Sequence, residues 1–184
     1  MKEYSCVLIF PVFLLMIFRY LLVFCMALMV SCSEKRSDGK KNNAVSEATG
    51  TLTGKVIRIA DGDTFHMLLA DKRSIKIRLF GIDCPEIQQP FYQQAKNELS
   101  RLIFNKTVTI TTDHKDQYGR YLAIAYADGI SVNEAMLSSG LAWHFTRYDR
   151  NAKWEELQQQ ARKQQIGIWS QPNPIAPWKF RRGK

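Results

Sequence analysis

Between Val7 and Val30 the chain is almost wholly apolar, with Arg19 its one charge; after Ser33 it turns abruptly polar and charged. This break fixes where a soluble fold can begin, because so apolar a run cannot supply a water-facing surface. Ser33 to Gly50 is rich in Ser, Asn, Lys and Gly and carries no apolar periodicity, the composition of a flexible tether. A strand pattern starts at Thr51. The expected organisation is therefore a leader over 1–32, a tether over 33–50 and a folded domain over 51–184, long enough for one hydrophobic core. The whole chain holds 26 Lys and Arg against 17 Asp and Glu, and residues 51–184 keep 20 against 13, a net charge of +7. The basic excess thus belongs to the domain and suits a polyanionic partner. Four cysteines and three histidines are too few for a disulfide scaffold or a zinc-finger array. Cys6, Cys25 and Cys32 all precede the domain, so Cys84 has no partner within it.

Two readings compete for the leader. A run of this length can span a bilayer as an uncleaved anchor helix. It can also be a secretory signal, with a basic start, an apolar core and a small-residue cleavage site. Met29-Val30-Ser31-Cys32 resembles the lipobox of bacterial lipoproteins, with Met29 where Leu is usual, and points to lipidation at Cys32. A start at Met16 would place Arg19 in the basic segment and Leu21 to Val30 in the core. Either reading puts the domain outside the cytoplasm on a tether, lipid-anchored to a bacterial membrane or secreted.

Within the domain, Thr51–Ile59, Thr64–Leu69 and Ser74–Phe80 predict strands. The third alternates most clearly, Ile75, Ile77 and Leu79 on one face and Lys76 and Arg78 on the other. Pro90 suits the first turn of a helix running to about Phe104, with Ala95, Leu99, Leu102 and Ile103 as its apolar stripe. Thr107–Thr112 and Tyr121–Ala127 predict two more strands. Ser131 and Glu134 predict a capping box for a short helix ending at Gly140, and Trp154–Ile166 a longer helix stopped by Gly167. The tail is Pro-rich and basic. Five strands and three helices predict an α+β, mainly β, architecture: a five-stranded OB-type barrel with three packed helices.

Three segments concentrate polar chemistry: Asp61-Gly62-Asp63-Thr64, Arg78 through Glu86, and Asp116-Gln117-Tyr118-Gly119-Arg120. Asp63 and Asp83 offer hard oxygens suited to Ca²⁺ or Mg²⁺. Glu86 can accept a proton, and Arg78 and Arg120 carry guanidinium forks that match phosphate oxygens. Position alone would leave each acid a solvated loop residue and Arg78 a surface charge; the ordered set points to a site. With Val132-Asn133 and Gly140-Leu141-Ala142 it resembles the staphylococcal nuclease family from about Lys55 to Trp169. The resemblance implies one Ca²⁺ held by Asp63, Asp83 and the backbone carbonyl of Cys84. It also implies that Glu86 activates water and that Arg78 and Arg120 stabilise a five-coordinate phosphorus. The implied partners are DNA and RNA, single-stranded or locally unpaired by preference, cut with little sequence specificity to leave 3′-phosphates. Relative to the secreted founder of the family, the segment after Glu86 is short, only Ile87 to Phe91 preceding the helix.

Other residues read more plainly. Tyr118 is a candidate contact to sugar or phosphate and Tyr148 a candidate for base stacking. Asp61 and Asp116 look structural, bonding their own turns. Cys84 lacks a nearby histidine in sequence and makes a poor nucleophile. His66, His114 and His144 have no metal-ligand spacing, and Trp143 and Trp154 suit the core. Arg181 and Arg182 are either a solvated tail or a loose hold on DNA. The chain is expected to act as a monomer. The competing reading is a non-catalytic, membrane-tethered nucleic-acid-binding barrel; retention of Asp63, Asp83, Glu86 and both arginines favours the enzyme.

Overall fold

The structure, a computed structural model, describes residues 50–183; the leader, Cys32, the tether up to residue 49 and Lys184 lie outside the described residues. Strands β1 (Gly50–Ile59), β2 (Thr64–Leu69) and β3 (Ser74–Leu79) form an antiparallel meander. The two-residue strand β4 (Ile82–Asp83) and helix α1 (Tyr92–Ile103) follow. Strand β5 (Thr107–Lys115) returns along the other edge of β1, and β6 (Tyr121–Ala127) pairs antiparallel with β5. Strand β6 also pairs with β3 in parallel, Ile77 with Tyr121, Arg78 with Leu122 and Leu79 with Ala123, which closes the five strands into a barrel. Short strand β7 (Ile130–Ser131) leads into helix α2 (Val132–Ser138). Strand β8 (Trp143–His144) pairs with β4. Helix α3 (Ala152–Lys163), a 3₁₀ turn at Gly167–Ser170 and helix α4 (Pro177–Arg182) complete the described chain. The architecture is the α+β, OB-type barrel that the alternation predicts, with α4 added to the three expected helices.

The barrel interior follows from period-two alternation. Val56, Phe65, Met67, Ile77, Val108 and Ile110 are fully enclosed, while their strand neighbours, Thr64 apart, are at least partly exposed. Helix α1 turns Ala95, Leu99 and Ile103, spaced four apart, onto the same core, with Leu102 packed beside them. At the end of β3 the chain must leave the sheet without stranding buried backbone groups. Asn133, wholly enclosed on α2, solves this. Its Oδ1 accepts from the Ala125 N–H (3.0 Å) and its Nδ2 donates to the Phe80 carbonyl (2.9 Å).

Several boundaries differ from the sequence expectation, each for a local reason. Helix α1 starts at Tyr92, and Pro90 stays outside it, because Phe91 takes a left-handed conformation (φ 68°). Its side chain packs against the small apolar cluster of Ala161, Ile168 and Trp169, which holds that turn. Strand β5 continues to Lys115 past a bulge near Thr112, whose hydroxyl donates to the Leu122 carbonyl at 2.8 Å. Only half of the capping box forms: Ser131 Oγ accepts from the Glu134 N–H, but the Glu134 carboxylate turns to Lys153 and Trp154 on α3. Helix α3 starts two residues early because Asn151 caps it, accepting from the Lys153 N–H at 3.0 Å. It also ends early, at Lys163, and Gly167 opens the 3₁₀ turn beyond it.

Gly140 and Gly167 lie at a tight backbone crossing. Ile168 N–H donates to the Gly140 carbonyl at 2.8 Å, and a Cβ on Gly167 would lie 2.2 Å from that oxygen. Gly129 shares the positive φ but faces open space. Gly129→Ala should therefore cost about 1 kcal/mol of unfolding free energy, the left-handed penalty alone. Gly167→Ala should cost clearly more in the same denaturant titration; equal losses would show that the crossing is not tight.

Candidate active site

The site is assembled where the β1–β2 turn meets the segment leaving β3. Asp61 accepts from the Asp63 N–H at 3.0 Å, an Asx turn that fixes the first loop, as its sequence position suggests. The turn aims Asp63 inward. Its carboxylate accepts from the Cys84 N–H at 2.8 Å and from the Thr64 hydroxyl at 3.1 Å. Leu79 N–H donates to the Asp63 carbonyl at 2.8 Å, so the two segments are bonded through backbone as well.

Arg78, outward on β3, lays its fork across two acids. Nη1 lies 2.6 Å from Asp63 Oδ2, and Nη2 lies 2.7 Å from Asp83 Oδ1. Asp63 is 6% exposed and Asp83 1%. Burial raises the Asp63 pKa well above the ordinary carboxylate range; Arg78 pulls it down, and Asp61 and Asp83 push it further up. Among the described residues no three His, Cys, Asp or Glu side chains cluster as metal ligands. What converges is a buried pair of hard carboxylate oxygens on one cation. That chemistry fits a divalent ion completed by backbone and substrate oxygens, and it does not fit a closed zinc site.

Cys84 is buried beside Gly62, its Sγ donating to the Gly62 carbonyl at 3.3 Å. Burial, with Asp63 beside it, pushes the thiol pKa well above its ordinary value, so the side chain is structural. Glu86 sits on the groove wall, its N–H donating to Gln89 Oε1 at 2.8 Å. Gln89 in turn donates from Nε2 to the Ile175 carbonyl at 3.0 Å, tying this loop to the segment before α4.

Across the groove, the β5–β6 turn presents Arg120 and Tyr118. Asp116 holds this turn: Oδ1 accepts from the N–H groups of Tyr118 (2.9 Å) and Arg120 (3.0 Å), and Oδ2 from Arg120 Nε at 2.7 Å. Arg120 Nη2 also lies 2.7 Å from Oδ2, which leaves Nη1 for another acceptor. Tyr118 is largely exposed, with the Arg120 guanidinium 5.5 Å from its ring centre. Tyr148 is exposed at the rim, edge-on to Phe145.

Asp63, Arg78, Cys84, Glu86, Tyr118, Arg120 and Tyr148 thus line one open groove of about 900 Å³. Asp83 lies behind it. Arg120 and Tyr118 stand apart from the carboxylate cluster, and Tyr148 touches neither. His114 also borders the groove, whereas His144 is buried between Asp149 and Glu155 and Trp154 is in the core. Sequence reasoning missed one participant. Arg181, assigned to a solvated or loosely binding tail, contacts both Asp83 and Glu86. The available signal was Pro177 ahead of Trp178-Lys179-Phe180, a helix start with Pro at the first position.

Burial works against ionisation of Asp116, but the bonds from Arg120 and Tyr118 outweigh it and hold its pKa below the ordinary value. A depressed folded-state pKa gives stability that is present above the unfolded value, about 4, and lost as pH falls through the folded one. Wild type should therefore lose more stability than Asp116→Asn between about pH 5 and 2. Parallel acid unfolding curves for the two proteins would contradict this role.

Comparison with known proteins gives the chain a family. The sequence matches the family described as staphylococcal nuclease homologue over residues 76–171. A protein of Escherichia coli O157:H7 named as an uncharacterized endonuclease is 38% identical over 134 residues, covering 72% of this chain and 87% of its own. A micrococcal nuclease of Shigella flexneri is 37% identical over 146 residues, covering 73% and 83%. An uncharacterized endonuclease of Haemophilus influenzae is 38% identical over 130 residues, covering 71% and 73%. The barrel, the paired carboxylates and the two arginines facing one groove are thus carried by a chain that belongs to the staphylococcal nuclease homologue family.

Proposed function

We propose that the domain is a nuclease, a phosphodiesterase that hydrolyses DNA and RNA with little sequence specificity and leaves 3′-phosphate and 5′-hydroxyl ends. One observation carries the reading: two buried carboxylates gathered by Arg78, with Glu86 and Arg120 facing the same groove. The net charge of +7 over residues 51–184 favours a polyanion, and relatives named as endonucleases and as a micrococcal nuclease support the same chemistry. Charges that address the backbone confer little sequence preference.

Asp63, Asp83 and the Cys84 carbonyl would hold one Ca²⁺, which when bound neutralises phosphate charge and makes a nearby water more acidic. Glu86 takes the proton of the attacking water as its oxygen bonds to phosphorus. The P–O5′ bond breaks, and the departing oxygen takes a proton from solvent. Arg120 Nη1 and the Arg78 guanidinium donate to the non-bridging oxygens, where charge grows most in the five-coordinate state. Asp116 keeps Arg120 aimed at the groove. Tyr118 borders the sugar–phosphate chain and Tyr148 stacks on a base.

The lipobox-like run Met29-Val30-Ser31-Cys32 supports a domain that works outside the cytoplasm, held through lipid on Cys32 and acting as a monomer. Among the described residues no helix is long and apolar enough to cross a membrane.

Glu86→Gln should lower turnover on single-stranded DNA about 100-fold or more, the scale of general-base loss, while the protein stays folded. Arg120→Lys should also lower turnover, because a point charge cannot reproduce the fork. A chelator should stop cleavage by wild type. Undiminished cleavage by Glu86→Gln would remove the base assignment. Binding of DNA without cleavage in any divalent ion would favour a tethered, non-catalytic module.

A further inference from the structure

Helix α4 is docked, not a free tail. Pro177 is buried at its first position, and the Trp178 ring stacks on Phe145, with centroids 4.7 Å apart and planes 8° from parallel. Trp178 also meets Trp143 edge-on at 5.6 Å. The Gln89 bridge to the Ile175 carbonyl fixes the segment just before the helix. These contacts leave Arg181, one turn on, facing the site.

Its guanidinium takes up two of the site's acids, Asp83 and Glu86. Nη1 donates to Asp83 Oδ1 at 3.2 Å and Nη2 to Asp83 Oδ2 at 2.9 Å, a bidentate clamp on that carboxylate. Nη1 also donates to Glu86 Oε1. With Arg78 on the other side, both oxygens of Asp83 are spent on arginines. Asp83 is 1% exposed and is absent from the groove lining, whereas the Arg181 side chain, 43% exposed, lines it. Arg78 sits deep and bridges two acids. Arg181 is at the surface, at the end of a six-residue helix, and is the cation that can leave.

We propose that Arg181 is an internal counter-ion that competes with the divalent cation for Asp83 and neutralises Glu86 while it is in place, so that helix α4 sets the ion affinity of the site. This rests on the reading of Asp83 as an ion ligand. With the clamp closed, Asp83 has no oxygen to offer and Glu86 is neutralised. Entry of the ion requires the guanidinium to withdraw, and the freed fork then lies at the groove edge within reach of substrate phosphate. The apparent affinity for the ion falls by the fraction of molecules with the clamp open: a clamp closed nine-tenths of the time weakens it about tenfold. The coupling is reciprocal, so bound ion must raise the population of the open clamp by the same factor, which frees the last turn of α4.

The test is calorimetric titration of the full-length protein in detergent micelles with Ca²⁺ alone, comparing wild type, Arg181→Gln and Asp83→Asn. Arg181→Gln should bind Ca²⁺ about tenfold more tightly than wild type, and Asp83→Asn should lose binding. Unchanged or weaker binding by Arg181→Gln overturns the competition. Full Ca²⁺ affinity in Asp83→Asn, or no binding by any of the three, overturns the ligand assignment and the competition with it. Hydrogen exchange of residues 177–182 in wild type gives a readout without any substitution. Exchange there should speed up on adding Ca²⁺, and unchanged or slower exchange would overturn the proposal.

Discussion

The contact on which the site depends is the fork of Arg78 across Asp63 and Asp83. Two buried carboxylates repel each other and each loses hydration, so without a cation between them the loops carrying them would spread apart. Arg78 can serve because β3 delivers it from rigid backbone, paired with Thr64 on one side and Leu122 on the other. Its planar, permanently charged fork gives each acid its own nitrogen. The chain then commits backbone to the same arrangement: the Cys84 N–H bonds the Asp63 carboxylate, and the Leu79 N–H bonds the Asp63 carbonyl. The polar cluster is held from both sides and sits against the hydrophobic core.

The rest of the barrel serves that placement. Asn133 on α2 satisfies backbone groups of both Phe80 and Ala125, which anchors the exit of β3 beside β6. The β4–β8 pairing then presents Asp83 opposite Trp143. His144 extends the support: its N–H donates to Gln158 Oε1 at 2.9 Å, and its ring nitrogens face Asp149 and Glu155. Helix α3 therefore holds, through His144, the short strand that pairs with the Asp83 segment.

What was legible in the sequence was whatever depends on local periodicity or turn chemistry. Ile75, Ile77 and Leu79 alternate with Lys76 and Arg78, and that alone placed Arg78 outside the core. Asp61-Gly62-Asp63 and Asp116 through Arg120 announced turns, and the structure puts both at the groove. The remainder depends on contacts distant in sequence. Phe91 is left-handed because of where its side chain packs, and β4 exists because β8 lies beside it. The half-formed capping box has the same origin, since Glu134 finds better partners on α3. Arg181 was the largest omission: its charge suggested a tail, and only the packing of Trp178 on Phe145 shows that it reaches the acids.

The parallel closure of β3 on β6 bears on how the domain comes into being. It joins Ile77 to Tyr121 and Leu79 to Ala123, partners far apart along the chain, whereas the β1–β2–β3 and β5–β6 hairpins are local. Local pairings form quickly and distant ones wait on the loss of chain entropy, so the two long-range pairings, β1 with β5 and β3 with β6, come late in assembly. Arg78 belongs to one side of the β3–β6 closure, and the turn carrying Arg120 leads directly into the other. No early folding species can hold the acid pair and Arg120 in their native relation. The site is therefore complete only once both long-range pairings have formed and the barrel is closed.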